Sequence, residues 1–87
     1  MSNDSDEFEK AAQAARALPE RPDDRTALQL YALFKQASSG DVQGARPGFF
    51  DFVATAKYEA WEKLQGTSRE DARRRYVELV RKLGGNV

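Results

Sequence analysis

The chain of 87 residues contains no cysteine and no histidine. The lack of cysteine excludes disulfides and thiolate metal sites, and the lack of histidine removes the commonest general base and neutral metal ligand. No apolar run approaches the roughly 20 residues that a membrane-spanning helix requires. The start, MSNDSDEFEK, is acidic, whereas a signal peptide begins with a basic segment. We therefore expect a cytoplasmic protein that is not an enzyme, uses no metal or cofactor and is not stably inserted in a membrane.

Charges of the two signs balance, with 14 lysines and arginines against 14 aspartates and glutamates. A neutral protein is a poor candidate for general binding to nucleic acid or to a membrane surface, because both depend on net positive charge. The run Arg73–Arg75 points to different sides of a helix and has carboxylates at ion-pairing distance along the chain, at Glu70, Asp71 and Glu78. We expect a solvated helix face there and no nucleic-acid partner.

Apolar residues recur with helical spacing in four segments, and no segment alternates as a β-strand would. Breaking residues separate these segments: Pro19 and Pro22 follow the first, Gly40 follows the second and Gly66 follows the third. We predict one all-α domain over residues 1–87, with four helices at about 4–18, 23–39, 50–64 and 68–83.

Polar residues indicate where two of the helices begin. Asp23 or Asp24 can cap the second helix. Before the fourth helix, Thr67 and Glu70 match the capping box S/T-x-x-E, with Ser68 as the alternative cap.

The connection between the second and third helices, SSGDVQGARPG, is long for a segment without secondary structure in a compact domain. We therefore expect it to be packed down by Val42 and the pair Phe49–Phe50. Phe52 should then begin the apolar stripe of the third helix.

The second helix contains LYALFKQ, in which Leu30 to Phe34 are five consecutive apolar or aromatic residues. Successive residues of a helix point about 100° apart, so these five side chains surround the helix axis. Because one face is enough for a core, the remaining faces need another contact.

Lysines and aromatic residues share two helix faces in this sequence. Tyr31 and Lys35 lie one turn apart, as do Lys57 and Trp61, and Tyr76 lies on the apolar stripe of the fourth helix. In one interpretation the aromatic rings belong to the core and the lysines extend to water. In the other they form a ligand site, with rings for stacking and ammonium groups for phosphate.

Residues 30–80 read LYALFKQASSGDVQGARPGFFDFVATAKYEAWEKLQGTSREDARRRYVELV. The order and spacing of many of these residues resemble the pattern Y-x-x-Y-K-Q-A-x-x-G-D, R-P-G, A-K-x-x-A-W, G-x-[ST]-x-x-[DE]-A and Y of the acyl-CoA-binding protein family. The matching positions are Tyr31, Lys35–Ala37, Gly40–Asp41, Arg46–Gly48, Ala56–Lys57, Ala60–Trp61, Gly66–Ser68, Asp71–Ala72 and Tyr76. FEKAA, which begins at Phe8, also looks like the first helix of that family.

The resemblance implies an up-down-down-up bundle of four helices that binds medium- to long-chain fatty acyl-CoA thioesters, for transport or pool formation, without transforming them. It implies that Tyr31, Lys35 and Lys57 hold the CoA phosphates and that Tyr76 contacts the nucleotide. The ligand-binding positions that it implies are Arg16, Ala27, Leu28, Tyr31, Ala32, Leu33, Phe34, Lys35, Lys57 and Tyr76. Of these, Ala27 and Leu28 match positions beside the acyl chain. We expect a monomer that makes transient contact with enzymes using acyl-CoA.

Three positions depart from the family pattern. Val53 stands where many members carry a ligand-binding lysine, Phe34 replaces the usual second tyrosine, and Ala32 appears where serine is common. These changes motivate an alternative, in which the chain is a helical protein-interaction module with the same fold and weak or lost acyl-CoA binding.

Overall fold

The computed structural model describes residues 4–87, which contain four helices: α1 (Asp4–Arg16), α2 (Asp24–Ser39), α3 (Phe52–Glu62) and α4 (Arg69–Lys82). No strand occurs in this part of the chain, so the predicted all-α class is confirmed. All four helices lie within the predicted segments, although α3 is two residues shorter at each end than predicted. The single domain predicted over 1–87 includes residues 1–3, which lie outside the described residues, and it stays a prediction. None of the described helices is long and apolar enough to cross a membrane.

Side-chain caps begin α2 and α4. The carboxylate of Asp23 accepts a hydrogen bond from the backbone N–H of Thr26 at 2.8 Å, and the hydroxyl of Ser68 accepts one from the backbone N–H of Asp71 at 3.0 Å. These bonds satisfy backbone donors that have no partner within the helix. The first of the two candidate aspartates is therefore the cap of α2. The capping box that begins at Thr67 is wrong, and the alternative cap, Ser68, is right.

The helices pack around α2 and α4. Helix α4 packs against both α1 and α2, and α3 packs against α2. The buried core cluster consists of Ala11, Leu33, Tyr76, Val77 and Val80. Full burial of a side chain such as Val80 contributes about 1.5–3 kcal/mol to stability. Because α2 contacts α4 on one side and α3 on another, it is the element from which a site between helices can be built.

Polar contacts, rather than the predicted aromatic packing, hold the connection between α2 and α3. Phe49 and Phe50 are exposed, so the expectation that they pack it down is wrong. Instead, the carboxylate of Asp41 accepts hydrogen bonds from the side-chain amide of Gln36 and from the backbone N–H of Gly66, both at 2.8 Å. The chain can leave α2 towards these partners because Gly40 adopts a φ of 80°, which glycine tolerates without strain.

The far part of the same connection is tied to α3. Arg46 forms ion pairs with Glu59 and Glu62, each at 3.1 Å. The indole N–H of Trp61 donates to the carbonyl oxygen of Gly40 at 2.8 Å. Phe52 is exposed rather than part of the apolar stripe of α3, because burial on this helix begins only after Val53.

Asp41 makes stability depend on pH in the acid range. The hydrogen bond from the Gly66 backbone, followed by that from Gln36, lowers the pKa of Asp41 below its ordinary value of 3.8. The stabilisation is therefore complete above pH 3.8 and is lost as the pH falls through the lower pKa of the folded state. We expect Asp41→Asn to be less stable than the wild type at neutral pH, and the difference to narrow below about pH 4. Urea unfolding followed by circular dichroism across this range measures it, and a difference independent of pH would contradict the prediction.

Candidate functional site

The five consecutive apolar residues of α2 divide among different neighbours. Ala32 and Leu33 are buried, Leu30 and Tyr31 are half-buried, and Phe34 remains 39% exposed. Leu33 belongs to the core cluster with residues of α4, whereas Phe34 stacks on Phe8 of α1. The faces of α2 that the core does not need are therefore only partly covered by protein.

Two lysines and two aromatic rings cross between α2 and α3. The ammonium nitrogen of Lys57 on α3 lies 5.3 Å from the centroid of the Tyr31 ring on α2. The ammonium nitrogen of Lys35 on α2 lies 4.9 Å from the centroid of the Trp61 ring on α3. Each lysine therefore covers a ring of the opposite helix, in the geometry of a cation–π contact. This crossed arrangement brings two positive charges to the same seam between helices.

The ammonium groups of the crossed pairs have no carboxylate partner among the described side chains. Within residues 5–87, none of the ion pairs includes Lys35 or Lys57. By contrast, Asp71 pairs with Arg74 and Arg75, as expected for a solvated helix face. Two such cations at one seam can receive an anionic group, such as the phosphate of a nucleotide.

A cluster of three rings joins α1, α2 and α4. The centroids of Phe8 and Phe34 lie 5.4 Å apart, those of Phe8 and Tyr76 lie 5.2 Å apart, and those of Phe34 and Tyr76 lie 6.0 Å apart. Tyr76 is only 5% exposed, and this burial raises the pKa of its hydroxyl above the ordinary value of 10.0. The positive charge of Arg16 lowers the pKa of the same hydroxyl. Arg16 therefore lies near Tyr76.

A cavity of about 670 Å³ runs between α2, α3 and α4. Its apolar lining is Leu28, Ala32, Leu33, Ala56, Ala60, Leu64 and Leu79. Four charged side chains also line it, namely Arg25, Glu59, Lys63 and Arg75. Apolar side chains thus form most of the lining, which suits a flexible hydrocarbon chain.

The predicted site residues occupy three neighbouring places around α2. Tyr31, Lys35 and Lys57 meet at the seam with α3. Phe34, Tyr76 and Arg16 lie on the side of α1 and α4. Leu28, Ala32 and Leu33 line the cavity, whereas Ala27 is exposed and is not among the residues that line it.

The sequence analysis did not predict the cavity residues on α3 and α4 as part of the site. Ala56 and Ala60 lie one turn apart on α3, and Leu64 follows one turn later. The signal that could have identified them is side-chain size, because two alanines on the face that packs against α2 leave space there. No group of three or more acidic residues among those described could hold a metal ion.

The family model described as "Acyl CoA binding protein" matches residues 5–80. The chain belongs to the acyl-CoA-binding protein family. An "Acyl-CoA-binding protein homolog" from Drosophila melanogaster is 49% identical over 76 residues, covering 87% of this chain and 88% of the relative. The "Acyl-CoA-binding protein" of Saccharomyces cerevisiae is 46% identical over 76 residues, covering 87% of each chain.

The fold of this family member agrees with a solved structure of the family. The crystal structure of Oryza sativa Acyl-CoA-Binding Protein 2 has a TM-score of 0.89 and 37% identity, covering 93% of this chain and 90% of that one. Agreement over so much of both chains confirms the four-helix bundle typical of the acyl-CoA-binding protein family, which the sequence resemblance implied.

Proposed function

We propose that this protein binds medium- to long-chain fatty acyl-CoA thioesters and holds them as a pool for transport, without transforming them. The observation that carries the proposal is the position of two unpaired lysines over aromatic rings beside an apolar cavity between the same helices. An acyl-CoA combines the two corresponding parts, a phosphorylated nucleotide and a long hydrocarbon chain. Membership of the acyl-CoA-binding protein family supports the same ligand.

In this proposal the crossed lysines bind the phosphates of CoA. Lys35 and Lys57 supply charge-assisted hydrogen bonds, and Tyr31 supplies a hydroxyl from the same seam. Phe34, which is 39% exposed, offers the nucleotide an aromatic surface, and the buried ring of Tyr76 packs against it, with Arg16 as a further cation near Tyr76. These contacts orient the head group and should weaken as the salt concentration rises.

The acyl chain would then occupy the cavity between α2, α3 and α4. Leu28, Ala32 and Leu33 line it from α2, and Ala27 lies one residue before Leu28. Each CH₂ group withdrawn from water stabilises the complex by about 0.8 kcal/mol, which is offset by the cost of ordering the chain. Affinity should therefore rise with chain length until the cavity is filled.

The departures from the family pattern change details of this site. Val53 is exposed and supplies no charge, so Arg16 is the candidate replacement for a third cation. Phe34 keeps a ring surface without a hydroxyl, and Ala32 is buried. These changes motivated the alternative of a protein-interaction module, which is not favoured because both lysines of the crossed pairs and the apolar cavity are present.

The proposal includes a role without catalysis, in the cytoplasm and as a monomer. The absence of histidine and cysteine from the sequence supports a binding role, because the commonest proton-transfer group and thiol nucleophile are missing. Incubation with palmitoyl-CoA followed by mass spectrometry tests this part, and hydrolysis or acyl transfer that depends on the protein would contradict it. Enzymes that use acyl-CoA are the expected transient partners.

Titration calorimetry with palmitoyl-CoA, CoA and palmitate tests the ligand. We expect submicromolar binding of palmitoyl-CoA, with CoA and palmitate each far weaker, because each carries only one of the two recognised parts. The absence of heat and of any thermal shift with acyl-CoAs from eight to twenty carbons would overturn the proposal. Equal binding of palmitate and palmitoyl-CoA would show that the lysines play no part.

Filling the cavity should shorten the preferred acyl chain. In Ala60→Phe an aromatic ring replaces a methyl group in the cavity lining, so we expect palmitoyl-CoA affinity to fall about tenfold or more, with octanoyl-CoA affected less. Ala45→Phe adds the same ring at an exposed loop position and serves as the matched control. Calorimetry with both ligands measures the effect. An equal loss for the two chain lengths would exclude the cavity as the acyl site.

A further inference from the structure

Four large apolar side chains protrude around the start of α3. Their exposed fractions are 83% for Phe49, 81% for Phe50, 73% for Phe52 and 68% for Val53. The rings of Phe49 and Phe50 contact each other edge to face, with centroids 5.0 Å apart, and are otherwise open to solvent. We call these four residues the phenylalanine tip. So much apolar surface within five consecutive residues is unfavourable in water unless something covers it.

The tip is not part of either cavity. None of its four side chains lines the cavity between α2, α3 and α4 or the smaller one beside α4, within the part of the chain that the structure describes. Nor does it hold down the connection between α2 and α3, because Asp41 and Arg46 do so through polar contacts. The four side chains therefore have no structural role in the isolated protein that would explain their apolar character.

The shape of the tip favours a lipid surface over a folded partner. All four side chains are exposed on a turn and on the first turn of a helix, and none of them lines a described groove. A protein would need a matching concave site to cover them. The interface of a bilayer accommodates phenylalanine rings without a preformed pocket.

The charges around the tip also favour a lipid surface. Lys57 is exposed and lies one helical turn beyond Val53, and no described carboxylate pairs with it. Asp51, the acid within the tip, caps α3 by accepting a hydrogen bond from the backbone N–H of Ala54 at 3.2 Å. The negative charge of Asp51 therefore interacts with the N-terminus of α3. An apolar protrusion bordered by an unpaired cation fits anionic phospholipid head groups.

We propose that the phenylalanine tip docks the protein reversibly on the surface of a bilayer that contains anionic phospholipid. The rings enter the head-group region and Lys57 remains at the level of the phosphates. This docking goes beyond the proposed ligand binding. Lys57 takes part in both, whereas the four side chains of the tip take part only in docking. Docking of this kind needs no membrane-spanning helix. Because it involves only one small part of the surface, the zero net charge of the whole chain does not oppose it.

Vesicle flotation tests the proposal with three forms of the whole chain. The wild type should float with vesicles of phosphatidylcholine and phosphatidylserine, and less with phosphatidylcholine alone. The double variant Phe49→Ser/Phe50→Ser should bind at least about tenfold more weakly, because two rings no longer enter the interface. Phe49→Leu/Phe50→Leu keeps apolar side chains and is the matched control, so it should retain most of the binding.

Two further measurements separate this proposal from the proposed function. Circular dichroism should show that the serine variant folds normally, because both rings are exposed, and calorimetry should show unchanged palmitoyl-CoA binding. Loss of flotation with ligand binding intact supports the tip as a separate surface. Equal flotation of the wild type and the serine variant would overturn it. The proposal would also be overturned if the wild type does not float and analytical ultracentrifugation shows that it self-associates through the tip.

Discussion

Replacing both Lys35 and Lys57 with glutamine is expected to weaken the binding of palmitoyl-CoA by about 100-fold or more. Each ammonium group that binds a phosphate contributes about 1.5–3 kcal/mol, and 1.4 kcal/mol corresponds to a tenfold change in affinity. Glutamine keeps a polar side chain of similar length, so the loss reports charge rather than shape. Titration calorimetry at several salt concentrations measures it, and the variant should also show a smaller dependence on salt.

A matched charge-removing variant shows whether this loss is specific. Arg74→Gln/Lys82→Gln also removes two positive charges, from exposed positions on α4 away from the crossed pairs. We expect its affinity to remain close to that of the wild type. Similar losses in the two double variants would mean that the ligand responds to overall charge and not to the seam between α2 and α3.

Tyr31 provides a second check on the same seam. Its ring lies beneath the ammonium group of Lys57, so Tyr31→Ala removes both the surface that positions this lysine and the hydroxyl. We expect a loss of palmitoyl-CoA affinity at least as large as that of the single variant Lys57→Gln. Stability should change less than affinity, since a cation–π contact at an exposed site contributes only about 0.5–1 kcal/mol.

Tyr76→Ala is expected to have the largest effect on stability, lowering the free energy of unfolding by about 3–5 kcal/mol. The Tyr76 ring is buried, contacts the rings of Phe8 and Phe34, and belongs to the core cluster with Leu33 and Val80. Removing it leaves a hole where α1, α2 and α4 meet. Such a loss is a large fraction of the stability of a small domain, so some of the variant is expected to be unfolded at 25 °C. Urea unfolding followed by circular dichroism measures the change.

Tyr76→Phe separates the structural role of the ring from that of its hydroxyl. The ring remains, so we expect a much smaller loss of stability. If the variant proves as unstable as Tyr76→Ala, the hydroxyl rather than the ring supports the core. If its stability is near that of the wild type, a loss of palmitoyl-CoA affinity would support the proposed contact of the hydroxyl with the nucleotide.

The same variant should change the alkaline limit of stability. Burial raises the pKa of Tyr76 above 10.0 in the folded state, because the charged phenolate is disfavoured there. The stabilisation linked to this shift is therefore complete below pH 10.0 and is lost as the pH rises through the higher pKa of the folded state. Tyr76→Phe has no hydroxyl to ionise and should lose less stability than the wild type above about pH 10. Identical alkaline unfolding curves would contradict this.

Most of the fold could be predicted because local signals agreed with one another. Apolar spacing, capping residues and breaking residues all indicate the same four helices, and the structure shifts their ends by only a few residues. The choice of Ser68 over Thr67 as a cap could not be predicted, since both hydroxyls fit the local pattern. The structure instead ties Thr67 to a distant residue, because its carbonyl oxygen accepts a hydrogen bond from Gln36, 31 residues away.

Periodicity within each helix pairs lysines with aromatic rings, but it does not predict how these residues are arranged between helices. Spacing along each helix puts Tyr31 with Lys35 and Lys57 with Trp61, whereas the structure exchanges the partners across the seam. This exchange depends on how α3 is rotated against α2, which periodicity within one helix does not specify. Phe49 was misplaced for a related reason, since hydrophobicity predicts burial only where another element is present to cover the side chain.

The buried amide of Gln36 joins two connections that are far apart in the sequence. Its nitrogen donates to Asp41, just after α2, and to the carbonyl oxygen of Thr67, just before α4, both at 2.8 Å. Asp41 in turn accepts from the backbone N–H of Gly66. Neither connection can open without breaking bonds to the other, so local unfolding of the two should occur as one cooperative event. Their backbone amides should then exchange hydrogen with the solvent at a common free energy, above that of a frayed loop.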